Sequence, residues 1–451
     1  LSLPLLIGAL ALLNLAAASL ARADTAVPPD ITVAADGSGD FTSVHAAVQS
    51  IPRDNRERQI IFIKDGVYTE KVRVDAANVT LRGQSRKGTR IEFSQAQGGG
   101  GGAGAGSGGG GDNRGNAVVN LSDTAHDCVI ENLTIRNTHG VLGVHAFALS
   151  GRADRTVVID SDVLSHGNDT IALWRTPGAG EAPAEPSILK DSGRYYHARL
   201  NVTGSVDFIC PRGWCYMVDS TVTELNPRAE ASMWHDGSNN PDKKFVMRRC
   251  RFDGPENFYL ARHHHDAHFY FIDCTFAKVM RDTAPYRVVY PLDGGTATEA
   301  DIRRNADLDK TNTYGERAYY FNSHREGAND YVWHRNNLSS APGSPKPDGI
   351  TAKWTFGGTW DPEDTSGPRI VNVATRDGKI HVKFAERVTV KGKPAVKLAG
   401  GATAPYDGGS GSDTLVFAGE GNATAIDLDG GVIIGTIATA AVRPADLTLP
   451  R

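Results

Sequence analysis

Three charged side chains interrupt runs that otherwise read as apolar strands: Asp169 in GNDTIALW, Asp207 in GSVDFIC and Arg262 in YLARHHHDAHFYF. A lone carboxylate or guanidinium among β-branched and aromatic residues is costly unless another group pairs with it or uses it. Two carboxylates held close together cannot both ionise readily. One is pushed toward its protonated form and becomes an acid, while the other stays charged if a cation holds it. Arg262 is the candidate cation, because a guanidinium grips a carboxylate in a fixed orientation. The competing reading makes each Asp an ordinary cap at a turn.

Spacing suggests what would bring the three together. The segments CVIENLTI, VVIDSDVL, YMVDSTVT, FVMRRCRF and FYFIDCTF form a loose repeat in which apolar residues alternate around a short polar corner. Corner markers Asn132, Ser161, Ser220, Cys250 and Cys274 are 29, 59, 30 and 24 residues apart. YHARLNV near Leu200 fills the double step, and YYFNSHRE near Ser323 is a weaker copy. Units of this length suggest coils of a parallel β-solenoid, with neighbouring coils at about 4.8 Å. His145 precedes Asp169 by 24 residues, one coil. Asp169 and Asp207 are 38 apart, again about one coil once RTPGAGEAPAEPS is set aside as a loop. His145, Asp169 and Asp207 are thereby placed on one face.

The rest of the chain bounds the setting. Its 451 residues include 50 Gly and 22 Pro, in keeping with a β-rich, turn-rich protein, and a net charge of −4 supplies no basic field for nucleic acid. Residues 1–23, LSLPLLIGALALLNLAAASLARA, read as an export signal cleaved before Asp24. The alternative is a membrane anchor, but DTAVPPD follows without basic stop-transfer residues. The expectation is a soluble, secreted or periplasmic protein, not held at a membrane after cleavage. Residues 24–366 are assigned to the solenoid, with a Gly-rich flexible loop at 98–111. Residues 367–451, which alternate apolar and polar positions between Gly-rich turns, are assigned to a small antiparallel β-sandwich-like accessory module. The five cysteines permit at most two internal disulfides, and Cys250 and Cys274, as stacked neighbours, are either bridged or two buried thiols.

Two further features admit two readings each. HHHDAH invites a metal, with His263 and His265 on one strand face, but no Cys or His pair at knuckle spacing accompanies it, and substrate-facing or surface histidines are the other reading. Trp174, Tyr195, Tyr196 and Trp214 either stack on sugar rings or pack in the core.

ITVAADGSGDFTSVHAAVQSIP, IFIKDGVYTEKV and VTLRGQS, followed by GNDTIAL, SGRYYHARLNVTGSVDFI and YLAR, resemble the pectin methylesterases in motif and order over Asp30 to Trp360. The chain looks like a divergent, bacterial-type member. The resemblance implies an all-β, right-handed parallel β-helix that hydrolyses methyl esters of galacturonan without metal or organic cofactor. It implies that Asp207 is the nucleophile, that Asp169 is the general acid and then base, and that Arg262 orients Asp207. The implied partner is methyl-esterified polygalacturonate, or a related uronic-acid polysaccharide, acted on by a monomer. The chain departs from the family where His145 and Asn168 replace glutamines linked to the oxyanion, and where LGRPW has become LARHH, so that His264 replaces a Trp lining the sugar site. Two other readings keep the fold: a polysaccharide lyase or galacturonan hydrolase, and a non-catalytic polysaccharide-binding relative.

Overall fold

The computed structural model describes residues 27–96, 113–175, 193–228, 231–236, 240–364 and 367–436. The export signal, the Gly-rich loop 98–111 and nearly all of the loop after Trp174 lie outside the described residues. Among those described, three parallel ladders wind a solenoid. One has ten strands, from Ile31–Val33 to Glu316–Phe321, and another has nine, from Gly66–Thr69 to His324–Arg325. The third comes in two parts. Strands Val72–Val74, Ala117–Leu121, Phe147–Gly151 and Ile171–Leu173 form the first; Ala231–Trp234, Tyr259–His263 and Tyr286–Arg287 form the second. Between them Ile209 alone bridges, to Ile171 on one side and Met233 on the other.

The polar corners of the repeat explain the winding. Asn132, Asp160, Arg199, Asp219, Arg249, Asp273 and Asn322 all adopt positive φ, between 46° and 56°, where the chain turns from the ten-stranded to the nine-stranded sheet. The residue after each left-handed corner points inward. Ser161, Ser220, Cys250, Cys274 and Ser323 are buried there, and each hydroxyl or thiol donates to the carbonyl two residues back. Cys250 and Cys274 thus occupy the place that serine takes in other coils, and both are free thiols. Inside the coils, aliphatic rows give way to stacked aromatics toward the C-terminal end, among them Phe245, Phe269, Phe252 and Phe271. Each fully buried ring of this kind contributes on the order of 2–3 kcal/mol of apolar burial.

Two later segments lie outside the coils. Leu338, Ile350, Ala352, Phe356 and Trp360 pack on outward-facing Tyr196, Tyr216, Val246 and Tyr270 of the ten-stranded sheet. From Ile370 the chain forms seven antiparallel strands that curl round their own core of Ile380, Val382, Phe384, Val396, Leu415 and Phe417. This sheet abuts the first coils through Ile434 against Val27 and Ile60, a Lys391–Asp30 ion pair, and Arg58 N–H donating to Thr389 Oγ1 at 2.7 Å.

Candidate active site

The site forms where the third sheet thins to a single bridge. Asp207 is not a strand residue as its apolar neighbours suggest. It lies in a bend at φ 48°, two residues before bridging Ile209. Asp169 sits two residues before Ile171 at φ 54°. Asp is among the few residues other than glycine that tolerate this region, since its short polar side chain bonds locally. The turns stack through backbone bonds: Asp169 N–H donates to Val206 O at 3.1 Å, and Asp207 N–H to Ala231 O at 2.8 Å. Ser205 Oγ donates to Asn168 Oδ1 at 3.0 Å, tying the two turns together again.

Arg262 reaches Asp207 from the strand Tyr259–His263, beyond the intervening Ala231–Trp234. Its Nε lies 2.9 and 3.2 Å from the two carboxylate oxygens and its Nη2 2.8 Å from Oδ2, a two-pronged grip. The side chains are only 15% and 13% exposed, so solvent screens the pair weakly. Burial pushes the Asp207 carboxyl up, while the Arg262 charge and hydrogen bonds pull it back toward ionisation. Asp169 has no such grip. Burial, and then the charge of Asp207, push it up to about 7. Both carboxyls therefore lie above the ordinary carboxylate value, but only Asp207 is gripped by a cation that draws it back toward ionisation, and Asp169 is the one that holds a proton near neutral pH.

The remaining residues singled out from sequence divide. His145 pairs in register with Asn168, one position short of Asp169, yet its Nε2 comes within 3.2 Å of Asp169 Oδ2. Burial lowers the affinity of its ring for a second proton. Asn168 Nδ2 donates to Gly143 O at 3.2 Å. Trp174 lies beside the site, with its indole N–H on Cys210 O at 2.6 Å. His264 accepts at Nδ1 from Trp234 Nε1 at 2.7 Å and stacks near Tyr290. Tyr195 and Trp214 lie elsewhere. Tyr195 is fully buried in the coil, its hydroxyl donating to Arg212 O and accepting from Arg175 N–H. Trp214 and Tyr196 lie on the outer face of the ten-stranded sheet. The pleat sends Tyr195 inward and Tyr196 outward, and both belong to a sheet other than the one bearing the carboxylates. The three histidines of the HHH run diverge: His263 turns inward to His265 O, His264 packs on Trp234, and His265 meets Thr311.

Sequence reasoning missed three neighbours. The Cys210 thiol donates to Asp169 Oδ1 at 3.2 Å, and the Arg212 guanidinium sits 4.6 Å from the Trp174 ring centre and 5.6 Å from that of Trp234. For two of them the available signal was their place: Cys210 follows bridging Ile209 as Trp234 follows Met233 and Arg262 follows Ala261, so Cys210 and Trp234 share a row with Arg262.

Residues 30–176 match the family model described as Pectinesterase. Over this stretch the chain is similar to the pectinesterases. Pectinesterase 2 of Arabidopsis thaliana is 28% identical over 251 residues, 52% of this chain and 36% of the relative, so the match spans about a third of that protein. The pectinesterase of Daucus carota is 29% identical over 203 residues, 45% of this chain and 54% of its own length. Among solved structures, the pectin methylesterase of Erwinia chrysanthemi aligns with a TM-score of 0.54 at 17% identity, covering 75% of this chain and 99% of that one. A pectin methylesterase in complex with a hexasaccharide aligns at 0.53 and 18% identity, over 75% and 100%. At such identities the structural likeness establishes the fold, a right-handed parallel β-helix. Asp169 falls inside the family-matched segment. Asp207 and Arg262 fall beyond it, and their pairing is read from geometry.

Proposed function

We propose that this protein hydrolyses methyl esters of galacturonan, releasing methanol and leaving the free uronate. The observation that carries the reading is the Arg262-gripped Asp207 beside a proton-holding Asp169. It is supported by the pectinesterase match over residues 30–176 and by a like-folded pectin methylesterase that holds a hexasaccharide.

An Asp207 oxygen attacks the ester carbonyl carbon. The bond from that carbon to the methoxy oxygen breaks as Asp169 gives its proton to the departing oxygen, yielding methanol and an Asp207–uronate anhydride. Asp169, now a carboxylate, takes a proton from water as the water oxygen attacks the substrate carbonyl. The anhydride bond breaks and both groups return to their starting states. Arg262 keeps Asp207 charged and aimed. Asn168 Nδ2 has one hydrogen on Gly143 O, and in this proposal its second serves the oxyanion, while His145 meets Asp169 rather than open space. No step needs a metal or an organic cofactor. Trp174 and His264 line the sugar site, and the chain works as an exported monomer. The test is incubation with methylated pectin. Methanol without chain shortening is the expected result; unsaturated products or new reducing ends would replace the reading with a lyase or hydrolase, and no product at all with a non-catalytic binder.

A further inference from the structure

A second concave site lies on the outer face of the ten-stranded sheet, away from the sheet that carries Asp169. It is a pocket of about 600 Å³, with Lys244, His268, Tyr270, Arg317, Tyr319 and Trp354 in its lining. Its origin is the parallel register. His268 pairs with Arg317 and Tyr270 with Tyr319, and Lys244 immediately precedes Phe245, which pairs with Phe269, so polar and aromatic side chains project in adjacent rows. Trp354 roofs the rows from the helix Ala352–Thr355, edge-on to Tyr270 with ring centres 5.4 Å apart.

The chemistry of the pocket is set by one cation. Lys244 is compensated, its Nζ bonded to Asp242. Arg317 spends Nη1 on Pro241 O, whereas its Nε and Nη2 are buried with no hydrogen-bond partner among the described residues. These two nitrogens share the guanidinium edge that grips a carboxylate side-on, the same edge Arg262 uses on Asp207. Asp266, whose charge acts on Arg317, donates no oxygen to that edge. One of its oxygens accepts from Tyr314 and Gly315 N–H and the other is unpartnered. Beside Arg317, His268 Nδ1 is also unpartnered, while the ring's other nitrogen serves the Lys243 carbonyl, leaving Nδ1 an acceptor for a hydroxyl.

We propose that this pocket binds an acidic sugar, its carboxylate on the Nε/Nη2 edge of Arg317, a hydroxyl on His268 Nδ1 and its ring against Trp354 and Tyr319. A carboxylate satisfies both buried donors at once, and aromatic walls with a few convergent polar groups are what sugar-sized ligands require. The choice of a uronate among carboxylates rests on the esterase reading, since de-esterified galacturonan is the product of that reaction. The pocket then holds freshly demethylated chain on a face distinct from the one that demethylates it.

The experiment titrates de-esterified trigalacturonate into the full-length protein and into Arg317→Ala and Trp354→Ala by calorimetry, with a neutral galactose trimer as control. Methanol release from pectin is measured on the same samples. The expected result is that each substitution removes one binding event of the wild-type protein while methanol release is unchanged, and that the neutral trimer does not fill that site. Binding unaltered in Arg317→Ala, absent from the wild type, or equal for the neutral trimer overturns the proposal. Absence of methanol from wild type that still loses a binding event in Arg317→Ala would overturn the esterase reading and leave a carboxylate pocket standing.

Discussion

Arg262 and Arg317 sit on strands of two different sheets of one solenoid and present the same guanidinium edge, but Arg262 closes that edge on Asp207 and Arg317 closes it on nothing described. The difference lies in what the neighbouring coils place opposite. In the third sheet, the left-handed bend at Asp207 interrupts the strand and brings a carboxylate within reach of a guanidinium two strands away. In the ten-stranded sheet the strands run unbroken, and the register sets His268, a neutral ring, beside Arg317. A filled edge makes a fixed charge pair that tunes chemistry. An unfilled one makes a receptor.

The comparison breaks most sharply at Asp207. Asp207→Asn removes the proposed nucleophile and half of the filled pair, so methanol release should fall by about 10³-fold or more with the circular dichroism spectrum retained. Full activity in this variant would reduce the pair to scaffolding. Arg262→Ala leaves a buried carboxylate without its cation, at a cost of roughly 3 kcal/mol in denaturant unfolding. Since Arg262 is what pulls Asp207 down, the acidic limb of kcat/KM should move to higher pH, and a pH–rate profile checks this.

Asp169 sharpens the contrast between gripped and ungripped carboxylates. Its folded-state value of about 7 lies above the ordinary 3.8, so the folded protein binds the extra proton between those values. The contribution of this group to stability is therefore greatest at low pH, declines as pH rises through that window, and is flat above it. Asp169→Asn should remove this part of the decline, making the variant more stable than the wild type at pH 8 relative to pH 4.5 in urea unfolding, while kcat/KM of the wild type falls as pH rises past about 7. The smallest effect belongs to the unfilled edge. Arg317→Ala breaks no ion pair and forfeits one bond to Pro241 O and a contact with the Tyr314 ring, so its unfolding free energy should change by only about 1 kcal/mol. A loss matching that of Arg262→Ala would mean the two edges are equally engaged.

Much of the site was legible because the coil period is written in side chains. The corner spacing stacks Asp169 on Asp207, and a charged residue inside an apolar run declares itself by its cost. The bend at Asp207 was not legible, because Val206, Phe208 and Ile209 are as suited to a strand as to a turn whose backbone bonds go to neighbouring coils. Nor was the fate of the aromatics. Tyr195 and Tyr196 are adjacent and chemically alike, yet one lines the core and the other the outer face, since successive strand residues alternate sides. Trp174, just past the strand Ile171–Leu173, and Trp214, which opens the strand Trp214–Val218, are told apart only by which of three sheets those strands join.

By itself, then, the sequence determined a repeating β architecture, an antiparallel C-terminal unit and three charged residues with reason to meet. Those properties follow from local alternation, corner chemistry and spacing along the chain. Only the tertiary structure decided which sheet each strand joins, that the inward thiols of Cys250 and Cys274 stand in for serines, and that one arginine has its carboxylate while another lacks one. These outcomes depend on register between coils far apart in sequence, where a shift of one residue exchanges inside for outside.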